Sequence, residues 1–453
     1  MSSARPFTRT PARTRNGVPG RVVDRARAMP WWVAVLAIWG FSRLITTGIL
    51  LSFAARQGEN AWTAANPGYL DFARLWDGHW YYIIAAVGYP DQIPRDEQGL
   101  AGESAWAFMP VYPGLVRIGM ALTGDGSALG FAAVAVTISV LASAVAALLF
   151  FVLARRWLNA GTSMLATTLF CVAPLSPILQ VAYAESLHLA LLFGALILVL
   201  DRRWVLLPFV VTVMALTRPS GLAFAFLLAL VWCWRWMRRA DDPFLIRERV
   251  RLGAAAIVAG LAGLAWPGIV ALATGELRAY IDTELAWRRP YIGDVELLPF
   301  TPWWQGAQWW AREQWWPDAS LPGTPWAVGD LLGPVILIAV IALMAAAFAL
   351  PAMRRMPVEL RFWTAAYALY LLAVFFPQSS TFRLLVPLAP VLGAVALGLV
   401  SVGSGRIAAS WSPRASRVVR ATLITGALSV SIALQIVWVH FGWWVDEYDW
   451  TPP

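Results

Sequence analysis

The chain has 453 residues, 59% hydrophobic and only 13% charged, with 27 tryptophans and a mean hydropathy of +0.62. One soluble core cannot bury that much apolar surface, so an ordinary soluble globular protein is excluded and a polytopic all-α membrane protein is predicted. The net charge of +9 lies in short arginine clusters between apolar runs, the pattern that orients spans against the cytoplasm, so no nucleic-acid partner is expected.

Residues 1–30 are rich in Arg, Pro, Ser and Thr without apolar periodicity, which predicts a disordered, basic cytoplasmic tail. The apolar run 31–53 is too long for a signal-peptide core and shows no small-residue cleavage site, so a retained anchor is expected. About 20 apolar residues cross a bilayer. On that measure further spans fall near 128–153, 163–178, 183–200, 204–217, 220–234, 253–273, 331–350, 362–376, 384–402 and 421–440. Eleven helices then make up an integral membrane domain, 31–441, followed by a short external tail, 442–453.

The runs on either side of Arg218-Pro219-Ser220-Gly221 read as two spans or as one broken helix, and charge decides for two. With a cytoplasmic start, 24 arginines fall inside, 10 outside and one, Arg43, within a span, while the 26 acids divide as 6 inside and 20 outside. The positive-inside rule is thereby met along the whole chain. Arg43 needs a partner in the first span, and a buried structural pair is expected. Cys171 and Cys233 both lie in apolar runs, which argues against a disulfide framework or a thiolate metal site.

Two external loops, 54–127 and 274–330, are too long for connectors, so function is sought there. In the first, Leu75-Trp76-Asp77-Gly78-His79-Trp80-Tyr81 opens a stretch with helical spacing, predicting an interfacial helix with rings in lipid and an acid toward water. After an acidic stretch the chain returns through Ala107-Phe108-Met109-Pro110-Val111-Tyr112-Pro113-Gly114, whose prolines predict a shaped re-entry rather than ordinary helix. The second loop carries Trp303-Trp304, Trp309-Trp310 and Trp315-Trp316, which fit an interfacial belt or a platform for sugar rings. Glu276, Asp282, Glu284, Arg288 and Arg289 in that loop are candidates for an acceptor entrance, with nothing in the sequence to fix them there.

Taken together, several fragments carry a resemblance. Trp76-Asp77-Gly78 with Ile84 and Gly88-Tyr89, then Ala107 to Pro113, resembles the first-loop signature of the PIG-V-like mannosyltransferases, integral membrane enzymes of the GT-C glycosyltransferase class. Tyr183-Ala184-Glu185-Ser186-Leu187, Thr217-Arg218-Pro219-Ser220-Gly221, and Phe382-Arg383-Leu384 with Pro387 resemble later elements of that family in the same order. Met109 and Val111 depart from it, where the family more often has Phe and Leu.

The resemblance implies a GT-C-like fold and inverting transfer of mannose from a polyprenyl-phosphate donor to a lipid, glycan or protein hydroxyl. The reaction would take place on the external face of the cell membrane. A lipid phosphate leaves without a general acid, whereas the acceptor hydroxyl must lose a proton, so one carboxylate suffices and Asp77 is the expected base. Glycoside hydrolases, by contrast, need two. Arg383 and Arg218, on the external side where arginine is otherwise scarce, are expected at the donor phosphate. His79 is a further candidate there, or an interfacial packing residue.

Trp76, Tyr112, Tyr183 and Glu185 are the candidate substrate-binding residues. Glu185 has a second reading as an acid at a positive helix end, and a possible partner in Arg218. Three scattered histidines and the wide spacing of Asp71 and Asp77 predict no metal, and no cofactor is expected. The competing classes are a transporter or flippase of lipid-linked sugars, which would be expected to show paired repeats, and a GT-C enzyme using glucose or arabinose.

Overall fold

A computed structural model describes residues 29–317, 327–403 and 412–445. The predicted tail 1–30 lies outside the described residues except for its last two, as does the external tail 442–453 beyond Val445. The described residues form nineteen α-helices and no strand, only an isolated bridge between Arg95 and Ala101.

The chain opens with α1 (Trp31–Ala54), starting directly after Pro30. Two short helices follow, α2 (Tyr69–Ala73) and α3 (Asp77–Val87). A 3-10 turn, Ala105–Ala107, then leads into α4 (Val111–Thr123). The re-entry predicted for this stretch is thus a turn followed by an ordinary helix. Pro110 is the N-cap and Pro113 falls in the first turn, where backbone N–H groups have no helical partner and proline costs nothing.

Next come α5 (Ala128–Ala154), α6 (Ala160–Cys171), α7 (Glu185–Leu200), α8 (Leu207–Ala215), α9 (Gly221–Met237) and α10 (Ile246–Thr274). Ser127 and Asn159 start α5 and α6 by accepting from the backbone N–H groups of Gly130 and Thr162. The second long loop folds as α11 (Ala279–Ala286), α12 (Arg289–Ile292) and α13 (Thr301–Trp310). The remainder is α14 (Val328–Ala347), α15 (Pro351–Arg354), α16 (Val358–Val374), α17 (Thr381–Leu384), α18 (Val391–Ser401) and α19 (Pro413–Trp438).

Each of the eleven apolar runs contains a helix. Among the described residues five helices, α1, α5, α10, α14 and α19, are long and apolar enough to cross a membrane, or six if the pair bent by 69° around α17 and α18 is one span. The other predicted spans, α6 to α9 and α16, are helices of 9 to 17 residues. At 1.5 Å per residue even the longest covers about 26 Å, short of a hydrocarbon core of about 30 Å.

In lipid the hydrophobic effect does not drive helix against helix, so close packing and polar contacts must do so. Phe150, Phe170 and Phe193, from α5, α6 and α7, meet at centroid distances of 5.0 to 5.5 Å. Arg43 finds its partners in carbonyls rather than a carboxylate, donating to Ser176 and Cys171, each at 2.7 Å. It thereby satisfies the frayed C-terminus of α6. Thr46 on α1 and the Val172 carbonyl both bond Gln435 on α19, at 2.9 and 3.0 Å.

Candidate functional site

Asp77 is the first residue of α3, and its placement begins with the residue before it. Trp76 has φ 59° and ψ −120°, a left-handed conformation that a bulky side chain adopts only when its surroundings impose it. Such strain costs about 1–3 kcal/mol and concentrates at functional sites. Here it is held by burial: the Trp76 ring packs on Trp62 at 4.9 Å, and its indole N–H donates to the Trp443 carbonyl at 2.9 Å. The turn ends with the Asp77 backbone N–H donating to the Tyr183 hydroxyl at 3.0 Å.

The Asp77 carboxylate meets the Arg383 guanidinium through both oxygens, Oδ1 to Nη2 at 3.2 Å and Oδ2 to Nη1 more closely. Arg383 also faces Glu185 Oε1 at 3.6 Å, and Glu185 Oε1 faces Arg218 Nη1 at 3.1 Å. Two acids and two arginines therefore form a neutral chain, Asp77–Arg383–Glu185–Arg218, whose side chains are at most 15% exposed. Glu185 is the first residue of α7, yet neither of its carboxylate oxygens accepts a capping hydrogen bond from the backbone. Pairing with Arg218 and Arg383 is what it does in this structure.

Arg383 reaches this place because Pro377, Pro387 and Pro390 break the apolar run into short pieces and leave α17 only four residues long. Its guanidinium lies over the Tyr183 ring, 5.3 Å from the centroid. Arg218 sits in the turn between α8 and α9 for a different reason. A Cβ on Gly221 would come within 2.6 Å of Gly263 Cα, so the glycine lets α9 press against α10 and fixes where the turn lies.

The chain of charges borders an open cavity with an empty volume of about 900 Å³, part of it solvent-facing. Asp77 and Tyr81 form one wall, and Ala107, the last residue of the 3-10 turn, forms a second with Phe108 and Met109. Thr217, Arg218 and Pro219 form a third. Opposite stand Glu284, Trp287 and Arg288 at the end of α11. Phe375, Phe376, Gln378 and Ser380, between α16 and α17, complete the enclosure with Arg383. Most of the wall residues sit at helix ends or in breaks between helices. A smaller cavity of about 360 Å³ shares Arg218 and Arg383 with it and is lined also by Glu185, His188 and Tyr367.

Of the sequence candidates, Asp77, Arg218 and Arg383 line the main cavity and Glu185 lines the smaller one. Trp76, Tyr112 and Tyr183 do not line either; they form an aromatic shell behind Asp77. The Tyr112 hydroxyl donates to the Ala135 carbonyl at 3.0 Å, and its ring meets the edge of Tyr81 at 5.0 Å. Tyr183 contacts Trp443 at 5.1 Å, so residues at the chain's far end complete this shell. His79 is outside both cavities. Burial, then the nearby Arg74, lowers its pKa.

Sequence reading missed Trp287, Gln378 and Ser380, and it could not fix Glu284 and Arg288. The tryptophan pairs gave the louder signal in that loop, yet none of the six lines the cavity. Trp303 and Trp310 donate instead to the carbonyls of Leu371 and Pro377, fastening α13 beside α16, while Trp304 and Trp315 are exposed. Burial raises the Glu284 carboxyl above the ordinary glutamate value, against the lowering effects of Arg288 and of a hydrogen bond with Tyr280. Among the described residues no group of three or more His, Cys, Asp or Glu converges as metal ligands.

No family model matches the sequence, and neither does any curated protein. Among solved structures, the oligosaccharyltransferase of Archaeoglobus fulgidus in the apo form is similar at 12% identity and a TM-score of 0.45, over 91% of this chain and 57% of that one. Archaeal AglB from the same organism, in complex with an inhibitory peptide and a dolichol-phosphate, matches at 14% identity and 0.43, over 89% and 55%. ArnT from Cupriavidus metallidurans in the apo state matches at 14% and 0.41, over 88% and 74%. The chain spans little more than half the length of the two oligosaccharyltransferases. Its function is therefore read from its own side chains.

Proposed function

We propose that this protein is an inverting glycosyltransferase of the GT-C class. It moves a sugar, mannose by the resemblance in its loops, from a polyprenyl-phosphate donor to an acceptor hydroxyl on the external face of the cell membrane. The observation that carries this reading is a buried carboxylate, Asp77, gripped by an arginine at the wall of an open cavity whose other walls are largely aromatic and apolar.

The chemistry follows from that arrangement. The acceptor hydroxyl gives its proton to Asp77 while its oxygen bonds to the anomeric carbon. The bond from that carbon to the phosphate oxygen breaks, and the electron pair leaves with the lipid phosphate. Asp77 Oδ1, at 3.2 Å from Arg383, is the more loosely held of the two oxygens and the better placed to take the proton. Arg383 orients the carboxylate, and Glu185 with Arg218 holds Arg383 in turn. Phe108, Met109, Phe375 and Phe376 suit the first isoprene units of the donor.

The test is to incubate the purified protein, in detergent and in liposomes, with a panel of short polyprenyl-phosphate sugars and to follow release of polyprenyl phosphate. Turnover of a mannosyl donor supports the full reading. Turnover of another sugar alone keeps the class and corrects the donor. A folded protein that consumes none of them moves the weight to a transporter of lipid-linked sugars.

A further inference from the structure

Three guanidinium groups reach the main cavity, and their engagement differs. Arg383 is held by Asp77 through two hydrogen bonds and by Glu185 as well. Arg218 is held by Glu185. For either to take a ligand phosphate, a buried carboxylate must be left without its counter-charge, an exchange that is costly in a site of low polarity. Arg288 is in a different position. Among the described residues no carboxylate forms an ion pair with it, and its one protein hydrogen bond is from Nη2 to the Val374 carbonyl.

Glu284, a turn upstream, acts on Arg288 only at longer range and has Tyr280 as its hydrogen-bond partner. Burial lowers the Arg288 pKa, with Glu284 pulling the other way, as expected for a cation that lacks a close counter-charge. A guanidinium offers five N–H donors in a fork matched to phosphate oxygens. Here most of that fork is uncommitted, in a cavity that Gln378 and the buried Ser380 also line.

Resting on the glycosyltransferase reading above, the geometry points to Arg288 as the residue that binds the phosphate of the lipid-linked donor, with Arg383 serving as the positioning partner of Asp77. A phosphodiester donor brings one negative charge. When the bond from the anomeric carbon to the phosphate oxygen breaks, the departing monoester carries two, while the acceptor proton rests on Asp77. The demand for positive charge therefore grows along the reaction, and Arg288 can answer it without disturbing the paired carboxylates. The ligand class that fits is a single phosphate on a hydrocarbon chain, because among the described residues one cavity guanidinium, Arg288, has no paired carboxylate, while Arg218 and Arg383 are each matched by an acid.

The test measures equilibrium binding of a short-chain polyprenyl monophosphate to the detergent-solubilised full chain, for the wild type, Arg288→Gln, Arg288→Lys and Arg383→Lys. Each variant is first checked for an unchanged elution profile and a cooperative thermal transition. Loss of a charge-assisted contact corresponds to roughly 10- to 100-fold weaker binding. Arg288→Gln is expected to lose that much, Arg288→Lys less, and Arg383→Lys least.

If Arg288→Gln fails to fold, Arg288→Lys decides alone, because lysine keeps the charge and gives up the two-pronged contact; wild-type affinity in that variant overturns the proposal. So does wild-type affinity in Arg288→Gln accompanied by loss in Arg383→Lys, which returns the phosphate to Arg383 and leaves the glycosyltransferase reading intact. A wild-type protein that turns over lipid-linked sugar yet binds no polyprenyl phosphate sinks this assignment alone. One that does neither sinks the functional reading with it.

Discussion

At Arg383 a single side chain pairs with two acids, and removing it has consequences for the fold as well as for chemistry. Arg383→Gln leaves Asp77 buried without its cation, while Glu185 keeps Arg218, and breaking a buried pair from one side costs about 3–5 kcal/mol. Denaturant unfolding in detergent is expected to show a loss of that size, with a smaller one for Arg383→Lys.

Glu284 gives a pH signature. Its folded carboxyl holds a proton to higher pH than the unfolded chain's, whose ordinary value is about 4.3. Between those two values the folded state binds more protons, so stability is expected to fall as pH rises through that window. Glu284→Gln should remove that slope from the thermal midpoint. Because a lipid phosphate leaves without protonation, Glu284→Gln is also expected to keep transfer within about tenfold; a general acid would lose about 10²- to 10⁴-fold. At this scale Asp77, Glu185, Arg218 and Arg383 were legible because ionisable groups are scarce in so apolar a chain. Arg288 was not, because it stands beside Arg289 in a loop with charges of both signs, and only folding separates the two.

Among the elements, helices were easy to read and their ends were not. Apolar runs announce helix, but length in the sequence does not announce length in the fold. Leu207 to Met237 is nearly continuous apolar sequence, and it is two helices on either side of Arg218-Pro219-Ser220, as the arginine count decided, since proline cannot continue the first and Gly221 allows the second to press on α10. The prolines of Ala107 to Gly114 did mislead, because at a helix start proline is harmless.

Gly221→Leu is expected to push α9 off α10, with a thermal stability loss of about 1–3 kcal/mol from overpacking. Transfer activity should fall further than stability does, because Arg218 lies three residues away in the same turn. A substitution at Gly426, where a Cβ meets nothing within 4 Å, is the matched control.

For the molecule as a whole, the ion-paired cavity is assembled from segments spread between Asp77 and Arg383, and their convergence is a property of the fold alone. Composition indicated a membrane protein, and arginine asymmetry indicated an orientation. Orientation is tested by labelling in a Cys171→Ala, Cys233→Ala background. Gln98→Cys in the first long loop is expected to react with an impermeant maleimide on intact cells, and Arg239→Cys only after permeabilisation. Both residues are exposed, so failure to label cannot be ascribed to burial.

The most direct measurement is single-turnover transfer from a polyprenyl-phosphate sugar by wild type and Asp77→Asn, both shown to be folded and inserted. Asparagine preserves the shape of the side chain and removes its capacity to take a proton, so a fall of about 10²- to 10⁴-fold is expected, with donor binding largely retained. Transfer by Asp77→Asn at the wild-type rate would contradict the assignment of Asp77 as the base.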